Sequence, residues 1–457
     1  MKGFTRRQFV KGTTLALPTI IASGCVGMRR NCVVRRPPPS ERINVGMIGY
    51  GTMAQDNIGS FLYNDRVQII SVCDVVSEAP LYGYKAERLG GYLPGKRKVD
   101  AFYAEKAKVN AYNGCKTFVD FREQLDDPDL DAVCISTPDH WHALHTIYAA
   151  KKGKHIYGQK PLFLAVAEGV EMVNAVKAAG ITHQVGAQSR SNDYFRMAAE
   201  LVRNGRIGKL TRIEVGLNKG HSVFGKTPAQ LSETPLAKPP SYIDFDLWLG
   251  PAPQRGFTPK IHLPMQWRYN LDYSCGMLTD FAAHQLDIMQ WALNKDGEAP
   301  VAIENIKGRL PPGADLYNTL AEPFSFEIVY ADGLRVFVSS DYTYGCRFFG
   351  EGTKQIYVTN GRLETCPPEL MRQKLRDDEI HLTKSGNHER NFIENIYTGG
   401  PTLSPIEAGY TALLPAVLAH IGMRQEKSQL KWDAARTRFV NDVEADLLLK
   451  PHRRGSW

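Results

Sequence analysis

The sequence predicts an α/β protein in two domains, a doubly wound parallel sheet followed by an α+β domain with a large open, mostly antiparallel sheet. Between residues 43 and 187, apolar strand-like runs alternate with helical segments, the pattern of a parallel sheet covered by helices. After residue 188 several strand-like runs follow one another without intervening helices, which favours antiparallel pairing. The length of 457 residues suggests two or three domains.

Composition and charge exclude several classes of protein. The chain is 43% hydrophobic and 23% charged, as folded proteins are, which excludes a collagen-like or disordered chain. Its formal charge of +8 comes entirely from the first 40 residues, because the 48 basic and 48 acidic residues that follow cancel. A neutral body produces no long-range positive field, so no nucleic-acid partner is expected.

Residues 1–40 are predicted to be an export signal and a linker rather than part of the fold. Two adjacent arginines, Arg6 and Arg7, are followed by Phe9, Lys11 and a short apolar run, the layout of a twin-arginine signal. A basic unstructured tail is the alternative. The apolar stretch at 13–27 is too short to span a bilayer, so no transmembrane span is expected. The protein is therefore expected in the periplasm.

A lipid anchor is left open by the residues around Cys25. Ala22-Ser23-Gly24-Cys25 is similar to a lipoprotein cleavage box, although such boxes favour Leu where Ala22 stands. A proline-rich linker then leads to residue 41. Of the other cysteines, Cys73 and Cys134 lie in apolar runs and should be buried. A disulfide among Cys115, Cys275, Cys346 and Cys366 stays open.

A glycine-rich turn between the first strand and the first helix predicts a dinucleotide site. The strand 43–48 runs into Gly49-Tyr50-Gly51-Thr52-Met53-Ala54, a GxGxxA pattern in which backbone approaches a diphosphate at a helix N-terminus. The next strand, 67–73, ends in Asp74, 23 residues beyond Gly51. A carboxylate there accepts hydrogen bonds from a ribose and repels a 2′-phosphate, which favours NAD. A strand-end helix cap is the alternative for Asp74. The Rossmann NAD-binding domain is predicted at residues 41–188.

Further parallel strands bring more side chains to the same sheet edge. Strands at 131–136, 154–157 and 181–187 end in turns where ligands of such sheets bind. The cofactor-facing residues expected from these turns are Thr137, Pro138, His140, His142, Gln159, Lys160 and Gln188. Histidines 140, 142 and 145 could suggest a metal, but a cofactor-facing turn explains them better and no metal is expected. No function is assigned to the insertion at 77–113.

The second half, 189–457, contains one helix with a candidate acid/base pair. Read as a helix, residues 274–291 place Asp280, His284 and Asp287 on one face. A carboxylate one turn from an imidazole can orient it and stabilise its protonated form. A buried structural histidine near Trp291 and a metal site at Asp280 and His284 are the alternatives. Lys160, in a turn before Pro161, is interpreted as a contact to a substrate hydroxyl.

Several of these motifs together resemble the Gfo/Idh/MocA oxidoreductases, especially exported bacterial members. The resemblance runs from the Gly49 turn to the C-terminus. It is carried by Ser136-Thr137-Pro138-Asp139-His140-Trp141-His142, Lys160-Pro161, Val185-Gly186-Ala187-Gln188, Gly276-Met277-Leu278-Thr279-Asp280 with His284, and the ending from Trp432-Asp433 to Pro451.

The resemblance implies hydride exchange between nicotinamide and a carbon of a sugar or polyol. Lys160 would take the place of the family's catalytic lysine, and Asp280 and His284 the places of its acid/base pair. Trp267, Arg268 and Tyr273 would line the sugar subsite. An open sheet that pairs with copies of itself is implied too, so a homodimer or homotetramer is expected.

Position 159 departs from the family pattern. The family usually has Glu-Lys-Pro, whereas this chain has Gln159 before Lys160. Without a carboxylate beside it, the lysine should lose its proton more easily and could share the base role. Alternatively, Gln159 keeps the same hydrogen bond to the cofactor and nothing else changes.

Three functions remain open from the sequence. The first is an NAD-dependent dehydrogenase of a sugar or glycoside. The second is a glycosidase or lyase that uses bound NAD in a closed cycle of oxidation, elimination and reduction; export favours it, because free NAD is scarce outside the cytoplasm. The third is a non-catalytic sugar-binding module.

Overall fold

A six-stranded parallel sheet forms the first half of the computed structural model. The structure describes residues 41–83, 87–218, 236–262, 266–310, 323–451 and 453–455, so the predicted signal and linker lie outside it. The strands of this half are β1 (Ile43–Ile48), β2 (Val67–Cys73), β3 (Ala79–Tyr82), β4 (Arg88–Gly90), β5 (Lys116–Phe118), β6 (Ala132–Ile135), β7 (His155–Gly158) and β8 (His183–Val185).

The parallel sheet has the order β5-β2-β1-β6-β7-β8, and each neighbouring pair is parallel. Its central strands are buried along almost their whole length, because helices cover both faces and apolar runs rather than alternating patterns are needed there. The predicted Rossmann topology is confirmed. The strand order reverses beside β1, which is where ligands of such sheets bind.

The insertion at 77–113 contributes regular structure of its own. Strands β3 and β4 pair antiparallel as a small separate sheet, and a helix of 16 residues follows them. Twelve helices are described: α1 (Thr52–Leu62), α2 (Tyr92–Ala107), α3 (Phe121–Leu125), α4 (Asp139–Lys151), α5 (Val166–Ala179), α6 (Asp193–Arg203), α7 (Phe245–Leu249), α8 (Pro259–His262), α9 (Gly276–Ala292), α10 (His388–Thr398), α11 (Ile406–Arg424) and α12 (Val443–Leu447). Short 3-10 helices lie at Gln188–Ser191, Gln266–Tyr269 and Pro368–Arg372.

The second sheet has nine strands in the order β15-β14-β13-β9-β12-β11-β10-β16-β17. Only β9 and β12 pair parallel, so the predicted mostly antiparallel sheet is confirmed. Its strands are β9 (Arg212–Gly216), β10 (Ala302–Lys307), β11 (Ser325–Val329), β12 (Arg335–Ser339), β13 (Gly345–Phe349), β14 (Gln355–Thr359), β15 (Arg362–Cys366), β16 (Leu430–Asp433) and β17 (Arg438–Phe439).

The second half of the chain also returns to the first sheet. Phe392 and Ile393 of α10 join the apolar core formed by β1, β2 and α1. His388 accepts a hydrogen bond from Gln184 on its backbone oxygen, and its ring Nε2 donates to the backbone oxygen of Val185. A boundary at residue 188 therefore divides the sequence but not the packing.

Helix α11 is the longest helix of the core. Within the described ranges it alone has the length and hydropathy of a membrane span, and 89% of that stretch is buried inside the protein. It packs against α9, α5 and β10. The six cysteines in the described part of the chain are free thiols, and only Cys366 among them is not buried.

Candidate active site

One cleft runs along the carboxyl edge of the parallel sheet, where the turns after β1, β2, β6 and β7 meet α7, α9 and the 3-10 helix Gln266–Tyr269. Its volume is about 180 Å³. Twelve of the residues predicted from the sequence line it: Gly49, Gly51, Thr52, Met53, Asp74, Thr137, Pro138, Gln159, Lys160, Trp267, Arg268 and Asp280. The parallel topology brings the first nine together because the strands they follow end at the same edge, while the 3-10 helix Gln266–Tyr269 and α9 supply the other three.

The glycine turn has the geometry that its pattern predicts. Gly49 has a φ of +83°, and a Cβ there would lie 2.7 Å from the backbone oxygen of Ser136. Only glycine combines this backbone conformation with so close an approach. Helix α1 begins after Gly51 without a side-chain cap, and its N-terminus, which lines the cleft, favours an anionic ligand through the helix dipole.

Asp74 lies at the end of β2 and is held by the backbone. One carboxylate oxygen accepts from the Tyr50 N–H at 2.7 Å, and the other accepts from the Val76 N–H at 2.9 Å. Burial raises its pKa to about 6, although these N–H groups oppose that shift. Asp74 thus fixes the glycine turn and is not a helix cap. Its predicted contact to a ribose stays a prediction.

The charged centre of the cleft is an ion pair between the two halves of the chain. The Lys160 Nζ lies 2.7 Å from Asp280 Oδ1, and the two side chains are 12% and 11% exposed. Arg268 Nε lies 4.0 Å from the other oxygen of Asp280. Burial alone would raise the pKa of Asp280, but the ammonium of Lys160 and the guanidinium of Arg268 outweigh it and lower the pKa to about 2. Asp280 is therefore a carboxylate that holds the lysine.

His284 lies one turn beyond Asp280 on α9, is not among the residues that line the cleft, and is a neutral imidazole. Burial, reinforced by the ammonium of Lys160, lowers its pKa to about 3. Its Nδ1 is buried and has no hydrogen-bond partner in the described part of the chain. The expected orienting bond from Asp280 is not formed, because that carboxylate binds Lys160 instead. Asp287, the third residue of the predicted face, forms a buried ion pair with Arg190 and is not part of the cleft wall.

Three predicted cofactor or sugar contacts lie behind the cleft wall. His140 Nε2 donates to the backbone oxygen of Trp248 at 3.0 Å, and the hydroxyl of Tyr273 is bonded to His262 at 2.9 Å. Gln188 donates to the hydroxyl of Tyr157, which in turn donates to Glu389. These predictions do not match the cleft wall, because each side chain satisfies a buried polar partner in the scaffold.

His142 also lies behind the wall, and it connects two of the turns that form the cleft. Its ring nitrogens lie 2.6 Å from the backbone oxygen of Pro161 and 2.9 Å from that of Thr137. The imidazole thus spans from the turn after β6 to the turn that carries Lys160. It positions the site rather than contacting a ligand.

Sequence reasoning missed several residues that do line the cleft. Asp139 accepts a hydrogen bond from the Ser274 hydroxyl at 2.7 Å, and burial raises its pKa to about 7. His145, expected from the sequence only as part of the cofactor-facing turn, does line the cleft and stacks on Trp141 at 4.7 Å between ring centroids. The position of Asp139 directly after a parallel strand was the available signal. Other missed residues, Leu247, Trp248 and His262 among them, come from a region without a recognisable motif.

Gln159 tests whether a nicotinamide dinucleotide suits this cleft. The side chain is buried and lines the cleft beside Lys160, yet neither its Oε1 nor its Nε2 has a hydrogen-bond partner among the described residues. Buried amides are rarely left unpaired, so a ligand with both donors and acceptors fits here. The uncapped N-terminus of α1 and the glycine turn fit its diphosphate.

Two family matches cover most of the chain. Residues 43–187 match "Oxidoreductase family, NAD-binding Rossmann fold" and residues 195–457 match "Oxidoreductase family, C-terminal alpha/beta domain". The fold and the cleft thus define an NAD-binding oxidoreductase. The chain belongs to the Gfo/Idh/MocA family.

Relatives within this family act on carbohydrates in different ways. The chain is 40% identical over 175 residues to a levoglucosan dehydrogenase of Pseudarthrobacter phenanthrenivorans, which is 37% of this chain and 39% of that protein. It is 25% identical over 230 residues to an alpha-N-acetylgalactosaminidase of Shewanella oneidensis, 46% of this chain and 45% of the relative. The matches thus span less than half the length of these relatives.

Solved structures share the fold across both halves. The WlbA dehydrogenase from Bordetella pertussis, in complex with NADH and UDP-GlcNAcA, superposes with a TM-score of 0.56 at 16% identity. The superposition covers 86% of this chain and 99% of that one. At this identity the likeness concerns the fold alone.

Proposed function

We propose that the protein is an NAD-dependent oxidoreductase that transfers hydride between nicotinamide and a CH–OH carbon of a sugar, polyol or glycoside. The observation that carries the proposal is the Lys160–Asp280 pair, which shares one cleft with the glycine turn. Trp248, Trp267 and Arg268 add an aromatic and cationic wall to the same cleft. Such walls suit the apolar faces and hydroxyl groups of a carbohydrate.

The side chains of this cleft can manage the proton of the reacting hydroxyl. NAD, when bound, supplies the hydride acceptor or donor. Lys160 donates a hydrogen bond to the substrate oxygen, and Asp280 keeps the ammonium in place. The imidazole of His284, one turn beyond Asp280 on α9 and outside the residues that line the cleft, is neutral at pH 7 and is proposed to take up the hydroxyl proton when the carbon is oxidised. Arg268 binds neighbouring hydroxyls. In the reverse direction His284 returns the proton.

A second candidate is a glycosidase or lyase in which the cofactor stays bound. Oxidation of a ring carbon acidifies the neighbouring C–H, and elimination expels the aglycone and leaves a double bond. In a glycosidase water then adds to that double bond and return of hydride gives the free sugar, whereas in a lyase the double bond stays in the product. Two observations favour it: the similarity to an alpha-N-acetylgalactosaminidase over 46% of the chain, and the predicted export signal. A cofactor that is regenerated in each cycle needs no supply outside the cytoplasm.

The experiment uses the purified full chain and a panel of glycosides and polyols. Bound NAD is measured after denaturation, net NADH by absorbance, and released aglycone by mass spectrometry. Net NADH supports the first candidate, whereas cleavage without NADH supports the second. If no substrate gives net NADH or a released aglycone, both candidate enzymes are overturned and a sugar-binding module remains.

The Lys160→Met variant tests the site itself. Loss of a residue that binds the reacting oxygen should lower turnover about 10²- to 10⁴-fold while NAD binding persists. Lys374→Met, at an exposed position far along the sequence, is the control. A Lys160 variant with full turnover would contradict the assigned role.

Export to the periplasm belongs to the proposal as well. The twin-arginine pattern supports periplasmic localisation, with Cys25 as the residue that would carry a lipid. Cell fractionation of the wild type and of an Arg6→Lys, Arg7→Lys double variant tests this. Retention of the variant in the cytoplasm is expected, and equal export of both would contradict it.

A further inference from the structure

The insertion after β2 folds back over the start of α1. We call the described residues 79–83 and 87–91 the strap, since β3 and β4 pair antiparallel within it. It lies where the sequence carried no recognisable motif. Contacts with the glycine turn and the first helix fix its position.

Four contacts attach the strap to the glycine turn and the first turn of α1. The Gly83 N–H donates to Thr52 Oγ1 at 2.9 Å, and the Gly91 N–H donates to the backbone oxygen of Tyr50 at 3.2 Å. Gln55 Nε2 donates to the backbone oxygen of Leu89 at 2.9 Å, and Arg88 pairs with Asp56 at 2.6 Å. The strap is therefore tied to the very segment that should hold the diphosphate.

The chain that leads into the strap is also tied to the second half of the protein. The Ser77 N–H donates to the backbone oxygen of Tyr242 at 2.8 Å, and Val76 forms a β-bridge with Ile243. The Asp244 N–H donates to the backbone oxygen of Val75 at 2.8 Å. The segment between β2 and the strap thus contacts a loop of the second half that precedes the aromatic wall.

The ring of Tyr82 lies over the second glycine of the turn. A Cβ on Gly51 would lie 3.2 Å from a ring carbon of Tyr82, and one on Gly90 would lie 2.4 Å from another. The ring is thus enclosed between two glycines, and it lines the cleft. In this type of turn the second glycine leaves room for the diphosphate to approach the backbone. The ring of Tyr82 occupies the space next to Gly51 that a diphosphate would need.

The hydroxyl of Tyr82 is affected by the carboxylate of Asp74. Burial, followed by the carboxylate of Asp74, raises the pKa of the Tyr82 hydroxyl. Tyr82, Gly51 and Asp74 all line the same cleft. A dinucleotide held by the glycine turn would meet this side chain.

We propose that Tyr82 is a residue of the dinucleotide site whose ring must leave Gly51 before NAD can enter or leave. The rates at which the cofactor binds and leaves are then limited by movement of the strap and not only by the affinity of the site. The inference rests on the NAD-dependent function proposed above and favours its version with a retained cofactor. No other residue of the strap is assigned a ligand contact.

Rates of NAD binding test the proposal without any substrate. Association and dissociation of NADH are followed by fluorescence for the wild type, Tyr82→Ala, Tyr82→Phe and the control Tyr63→Ala, whose side chain is 78% exposed. A gate affects both rates, so Tyr82→Ala should raise both by about tenfold or more and change Kd by less than about threefold. Tyr82→Phe keeps the ring and should match the wild type.

Other outcomes overturn the inference in distinguishable ways. Faster dissociation with unchanged association would make Tyr82 an ordinary contact, and unchanged rates would make the strap irrelevant; in both cases the proposed function stands. A wild type that binds no NAD or NADH would overturn the proposed function and this inference together. Thermal unfolding of each variant shows that a changed rate does not come from a damaged fold.

Discussion

Single residues at the ends of the parallel strands decide the chemistry of this cleft. The chain has Gln159 where its family usually has a glutamate, and Asp280 supplies the carboxylate next to Lys160 from another element, at 2.7 Å. The charge beside the lysine is therefore provided by the tertiary structure. This makes the charge balance around Lys160 accessible to mutation from two sides.

We predict that Gln159→Glu changes the pH dependence of turnover. A second carboxylate beside the lysine favours the ammonium. If Lys160 shares the base role, the rising limb of the pH–rate profile should therefore move to higher pH, by about one pH unit. Asp280→Asn removes a carboxylate and should move it in the opposite direction. Identical profiles for Gln159→Glu and the wild type would sink the idea that Lys160 acts as a base.

Asp139 should make stability depend on pH. Burial raises its pKa from 3.8 to about 7, so the folded protein binds this proton more tightly than the unfolded chain does. The stabilisation of the folded state by this proton is fully present below pH 3.8 and is lost as the pH rises through about 7. Asp139→Asn should therefore gain stability relative to the wild type over that range, by about 2–4 kcal/mol.

Denaturant unfolding between pH 4 and 8 measures this difference. Asp74, whose pKa is also raised, is present in both proteins and cancels. Asp377→Asn, at an exposed position, is the control and should follow the wild type at every pH. A pH-independent difference between Asp139→Asn and the wild type would show that the carboxyl is not protonated preferentially in the fold.

At the scale of elements, the position of α9 determines where Asp280 and His284 stand. Arg190, 1% exposed, binds Asp287 of α9 at 2.7 and 2.8 Å and Asp296 at 2.7 and 2.8 Å. It also donates to the backbone oxygen of Leu403. One guanidinium thus joins the 3-10 helix after β8, helix α9 and a loop of the second half.

Arg190→Met should destabilise the protein strongly. Removing one partner of a buried ion pair leaves a carboxylate without compensation, which typically costs about 3–5 kcal/mol. Arg362→Met, which breaks an exposed pair with Glu364, should change stability by about 0.5 kcal/mol or less. Equal losses of unfolding free energy in the two variants would contradict this account of α9.

Across the whole molecule, the nine-stranded sheet has one face that is only partly covered. Alternate residues of its strands point outward, as in β11 and β12, where every second position is buried. The outward side chains are charged and aromatic: Arg212 lies over the ring of Phe337 at 4.0 Å, and Arg335 pairs with Glu304 and Glu327. Aromatic residues and arginine are enriched in protein interfaces.

We predict that this face joins copies of the chain into a homodimer or homotetramer. Light scattering of the wild type should give the mass of an oligomer. Phe337→Asp, which places a charge at the centre of the face, should shift it towards the monomer. Val443→Asp, at a side chain 77% exposed, should leave the mass unchanged. A monomeric wild type would refute the prediction.

Local signals in the sequence were sufficient to predict the helices and strands and several residues at the carboxyl edge of the parallel sheet. The predicted bounds of β1 and β2 are those observed, and the glycine turn, Lys160 and Asp280 were identified because they follow strands or lie on a strongly patterned helix. Such signals are local, since turn chemistry and periodicity extend over only a few residues.

Only the tertiary structure decided which side chains face the cleft. His140, His142, Gln188 and Tyr273 occupy promising positions in the sequence but satisfy buried partners behind the wall, while Trp248 and Tyr82 reach it from segments without a motif. Which way a side chain turns depends on the packing of elements that are far apart in the chain. No local pattern records that packing, so the choice between a ligand contact and a scaffold contact is made in three dimensions.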